Sequence, residues 1–174
     1  MDFHNPEDPG EMLAAFEQVT IEAPSPAARA AAMLRDQASR IAANWVLRVA
    51  NLPAFRALPD LTLSQLQGTI PEILDAALVA IATSDPSIDP EPLQRALDLA
   101  AEHGRKRASE GFAIGDVLAE FQQLRAEVWA ALWRVLEGDE LLSDSLRELQ
   151  GRLSHTFDSL MIVAAESWVA TRLD

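Results

Sequence analysis

The chain has 174 residues, 49% of them hydrophobic, which is enough apolar material for one packed domain of ordinary size. Its net charge of −13 argues against nucleic acid and anionic membrane as partners, and no apolar run reaches the roughly 18 residues that a membrane span needs. There is no cysteine, so disulfide and thiol chemistry are excluded; with no basic-then-apolar leader pattern at the N-terminus, the expected location is the cytoplasm.

Residues 1–24 carry six acids and no base and read as an acidic arm, with one short helix over Glu11 to Val19. Residues 25–174 then read as a single all-α domain of about five helices. The first opens at Ser25-Pro26, a cap residue followed by proline, and runs to Asn51. Leu34, Ala38, Ile41, Trp45 and Val49 form its apolar face. A proline linker leads to the second helix, which opens at Ser64 with Gln67 at capping-box spacing. Pro71 falls inside that helix and predicts a kink or a restart. The third helix begins at Asp89-Pro90, and residues 109–115 make a glycine-containing turn. The fourth runs from Asp116 to Glu137, with Gly138 as its stop.

The last helix, Asp139 to Asp174, is the unusual one. Leu142, Leu146, Leu149, Leu153, Thr156, Leu160 and Val163 are spaced alternately four and three apart, a heptad seam. Phe157, Met161, Ala164 and Trp168 make a second apolar stripe beside it. Two stripes need two partners, so the seam, led by its leucines and Val163, is expected to join a second copy in a homodimer. No stop signal precedes Asp174, and the helix is expected to lead towards a downstream output domain or signalling protein.

The helices on either side of the 109–115 turn place polar residues on one antiparallel register: Arg107 with Asp116, His103 with Glu120, and Asp98 with Arg125. The two readings are a solvated hairpin with chance charges, or a partly buried polar ladder fixing one helix on the next. The ladder reading makes His103–Glu120 the most buried pair.

The same stretch carries a resemblance. His103, Arg107, Gly111-Phe112, Glu120-Phe121 and Leu124-Arg125 together resemble the N-terminal domain of RsbR-type co-antagonist proteins, more loosely from Trp45 to Leu136. Phe121 departs from the pattern, where a tyrosine is expected. The resemblance implies a non-catalytic, dimeric, all-helical sensory domain, of a kind also found ahead of histidine kinases. It also implies a globin-like arrangement as an alternative to a plain antiparallel bundle.

No catalytic, cofactor or metal constellation stands out. There is no glycine-rich phosphate loop, and His4, His103 and His155 lie on separate segments without metal-ligand spacing. A haem would need an axial histidine over a deep apolar pocket, and both helical histidines read better as satisfied by protein groups. A globin-like fold here would therefore be an empty one, and no cofactor is expected. Trp45, Phe121, Trp129 and Trp133 either fill gaps between alanines or line an apolar pocket. The favoured function is a sensory or regulatory domain of bacterial signal transduction, of histidine-kinase or stressosome type, that transmits through its last helix. The alternative is a stand-alone bundle that binds a small apolar ligand.

Overall fold

The computed structural model describes residues 24–57, 62–83, 89–137 and 146–174, and these contain eight helices and no strand. In chain order they are α1 (Pro26–Asp36), α2 (Ala38–Val49), α3 (Pro53–Arg56), α4 (Leu63–Gln67), α5 (Ile70–Ala82), α6 (Glu91–Ser109), α7 (Ile114–Leu136) and α8 (Leu146–Leu173). The protein is an all-α bundle with a long last helix of 28 residues. The expected arm and its short helix, His4, the Gly138 stop, Leu142 and the side chain of Leu146 lie outside the described residues.

Local chemistry explains the boundaries. The Ser25 side chain accepts from the Ala28 amide, and Pro26 occupies the first helical position. The single helix expected from Ser25 to Asn51 is broken at Gln37, whose φ of −97° and ψ of 2° end α1 before α2 begins. The two segments have different neighbours: α1 packs on α5, whereas α2 packs chiefly on α7. Capping of the next helix comes two residues before the expected place. Thr62 accepts from the Gln65 amide at 3.2 Å, and Gln65 accepts from the Thr62 amide at 2.9 Å. The restart expected at Pro71 is present: α4 ends at Gly68, with φ of 50°, and α5 starts with Pro71 in its first turn.

Buried residues from all eight helices form one contiguous core. The heptad seam belongs to it. Leu149, Leu153 and Leu160 are at most 2% exposed within their own chain, and Thr156 is buried too. Val163 is half-buried. The seam's described leucines are therefore spent inside the bundle, and the sequence argument that they face a second copy is corrected. The reason is that α8 packs heavily on α6 and also meets α5 and α7, so one chain supplies partners for both of its stripes.

Candidate functional site

Helices α6 and α7 carry a buried ion cluster. His103, Arg107 and Glu120 are each at most 1% exposed. His103 Nε2 lies 3.2 Å from Glu120 Oε2, and its Nδ1 lies 3.2 Å from the Thr69 hydroxyl at the start of α5. In the neutral ring the nitrogen facing the carboxylate carries the proton, and the Thr69 hydroxyl then donates to Nδ1. Arg107 donates to both oxygens of Glu120, from Nε at 2.9 Å and from Nη2 at 2.8 Å. It also donates to the Leu66 carbonyl at 3.0 Å and to Glu110 at 2.8 Å. The Trp45 indole closes the cluster by donating to the Glu120 backbone carbonyl at 2.8 Å. One residue, Glu120, thus ties together α2, α6 and α7, and through its partners α4 and α5.

Aromatic rings seal the cluster. The Arg107 guanidinium sits 5.0 Å from the Phe112 ring centre and 5.5 Å from that of Phe55, and these two rings stack at 4.8 Å. Phe121 meets His103 edge-on at 5.6 Å. Burial opposes the Arg107 cation. The attraction of Glu120, with hydrogen bonds to Glu120 and Glu110, outweighs it and raises the pKa above the ordinary arginine value. Such a raised basic group contributes stability that is complete below its unfolded-state value and fades only as pH rises through the folded one. That window lies beyond the range in which proteins stay folded, so Arg107 remains charged throughout.

Thr69, His103 and Glu120 have the hydroxyl–imidazole–carboxylate order of a nucleophilic triad. Yet Arg107 takes both oxygens of a carboxylate with no solvent exposure, and the geometry is that of a structural tie. Among the described residues no group of three or more His, Cys, Asp or Glu is placed to hold a metal ion.

Of the three pairs on the expected register, only His103 and Glu120 are in contact. Asp116 instead accepts from the Ala113 amide at 3.0 Å and caps α7. Asp98 accepts from Gln94 one turn earlier, and Arg125 reaches across to Asp158 on α8, each at 2.9 Å. The register fails because α6 and α7 touch only slightly and α6 lies mainly on α8 and α5. A constant index sum marks neighbours only where two helices stay side by side. The four residues of the expected apolar pocket are also redistributed. Trp45 and Phe121 are packed solid in the core, Trp129 is half-buried and Trp133 is 51% exposed. A surface cleft of about 680 Å³ is lined by residues of α6 and the adjoining Pro90, among them Arg95, Leu99 and Glu102.

Several residues of the site were missed in the sequence. Phe55 sits on α3, a single turn inside what reads as a proline linker. Thr69 falls in an inter-helix turn. Gly104 lies inside α6, where a Cβ would stand 2.1 Å from the Ala164 carbonyl oxygen of α8. A glycine within a helical pattern is the signal that could have marked this close approach. Glu127 is buried as well, paired with the half-exposed Arg48.

Residues 39–174, more than three quarters of the chain, match the family described as RsbT co-antagonist protein rsbRD N-terminal domain. No curated protein matches the chain, and no solved structure does.

Proposed function

The chain belongs to the RsbT co-antagonist protein rsbRD N-terminal domain family, and from this premise we propose that it is a non-catalytic sensory domain of a bacterial signalling protein. The family is a regulatory one whose members work in signalling complexes. The match over residues 39–174 is the observation that carries the reading. On this reading residues 25–174 act as one cytoplasmic unit without a cofactor, and the acidic arm precedes it. Among the described residues no helix is long and apolar enough to cross a membrane.

The domain works as a homodimer and passes its signal along α8 to an output partner. Support for the dimer now comes from a different face of α8 than the heptad seam. Ile162, Val169 and Leu173 are 57%, 40% and 80% exposed, and they share one helical side at spacings of seven and four. The bound-ligand alternative has no such support, because Trp45 and Phe121 are buried in the packed core.

Sedimentation of the purified chain tests this reading. A dimer is expected at micromolar concentration, weakened at least tenfold by the double substitution Ile162→Glu and Val169→Glu with helicity unchanged. A chain that stays monomeric at about 100 μM, roughly where weak complexes form, would remove the dimer from the proposal.

A further inference from the structure

Helix α8 is held against the ion cluster at two neighbouring places. The first is the backbone contact of Ala164 with Gly104, which lies next to His103 and three residues before Arg107. The second comes four residues further along α8, a rise of about 6 Å. There the Trp168 indole donates to the Phe112 carbonyl at 2.9 Å. Beyond Trp168 the helix is mostly exposed.

Phe112 is in turn bound to Arg107 twice. Gly111, at φ of 87°, ends α6 in a left-handed turn, with its amide donating to Ala108 and the Phe112 amide donating to the Arg107 carbonyl at 3.0 Å. The residue that such a turn places over the last helical residues is Phe112, and its ring lies against the Arg107 guanidinium. The carbonyl that receives Trp168 and the ring that covers Arg107 therefore belong to one residue with little freedom between them.

We propose that Phe112 is a relay that couples the buried Arg107–Glu120 pair to the end of α8, holding Trp168 while the pair is intact and releasing it when the pair is broken. The Gly104–Ala164 contact serves as the pivot, since it leaves α8 no room to slide inward and makes the segment after Ala164 the part that moves. Packed contacts of this kind switch between discrete arrangements rather than deforming smoothly. The relay rests on the reading of α8 as the transmitting helix, but its test is physical and needs no output partner.

The test follows the Trp168 indole N–H resonance and its hydrogen exchange in the ¹⁵N-labelled chain. Glu120→Gln is expected to shift the resonance and to speed its exchange roughly tenfold, the loss of about one net hydrogen bond. Phe112→Leu keeps the carbonyl but removes the ring, and it should do the same, which covers the case in which Glu120→Gln does not fold. Arg125→Gln is the control: it breaks a direct ion pair from α7 to Asp158 of α8, yet should leave the indole within twofold. In the reverse direction Trp168→Phe should speed exchange of the Arg107 Nε–H. An indole that stays protected and unshifted in a folded Glu120→Gln or Phe112→Leu chain overturns the relay, as does equal disturbance by Arg125→Gln. A monomeric chain in the sedimentation experiment would leave these outcomes unchanged, so the two proposals fail separately.

Discussion

Gly104 and Gly151 are both helical, and their surroundings give substitution opposite signs. A methyl group at Gly104 would meet the Ala164 carbonyl oxygen at 2.1 Å and its carbon at 2.9 Å, both backbone atoms that cannot rotate away. The α6–α8 crossing would have to open, and Gly104→Ala should destabilise by about 1–3 kcal/mol, the usual range for overpacking. At Gly151 nothing lies within 4 Å of the added methyl, and the helix gains alanine's propensity. Gly151→Ala should stabilise by roughly 0.5–1 kcal/mol. Urea unfolding of the two variants checks both; a neutral Gly104→Ala would show that the helices have slack at their crossing. At this scale His103–Glu120 was legible in the sequence because it lies within reach of the turn, where any helical hairpin brings its arms together. Arg107 was singled out, but with Asp116 as its partner. A long side chain can reach either of two carboxylates one turn apart, and the index register does not choose between them. The choice is made by Asp116 being consumed as a cap of α7.

Among the elements, α8 shows what periodicity does and does not specify. The sequence correctly marks a long apolar helix, but a heptad seam says only that a helix has a partner, not whether that partner is in the same chain. Here α6 supplies the partner, and Arg152 adds a second tie by donating to the Ile81 and Thr83 carbonyls at the end of α5, at 3.2 and 2.7 Å. A cation at that end also meets the favourable pole of the helix dipole. The consequence separates Leu153 from the exposed stripe. Leu153→Glu would bury a carboxylate in the core at a cost of several kcal/mol, a large share of the roughly 5–15 kcal/mol that holds a domain together. It should abolish the cooperative thermal transition seen by circular dichroism. A folded Leu153→Glu chain that is merely monomeric would restore the seam as an interface between copies. The break at Gln37 and the single turn of α3 were not legible for a related reason. Gln37 carries no local stop signal, and the turn of α3 lies between Pro53 and Pro59, which read as linker punctuation; both are set by where the chain must turn to meet α5, α7 and Arg107.

For the molecule as a whole, the question left by the resemblance to a globin arrangement is whether the bundle can take a haem. Iron ligation needs a histidine nitrogen with a free lone pair, aimed into an apolar space the size of a porphyrin. His103 is the histidine at the centre of the fold, but one of its nitrogens faces Glu120 and the other the Thr69 hydroxyl. The volume beside it is filled by the Arg107 guanidinium and by Phe55, Phe112 and Phe121. Admitting a porphyrin there would strand Glu120 without its cation, at the several kcal/mol that an unpaired buried charge costs. His155, the other described histidine, is exposed on α8. The protein mixed with haem should therefore show only the broad absorbance of free haem, with no sharp band near roughly 400 nm of the kind axial ligation produces. A sharp band that disappears in His103→Ala would mean that the ion cluster opens to release its histidine, and gas or redox sensing would then replace the closed relay as the working model of the domain.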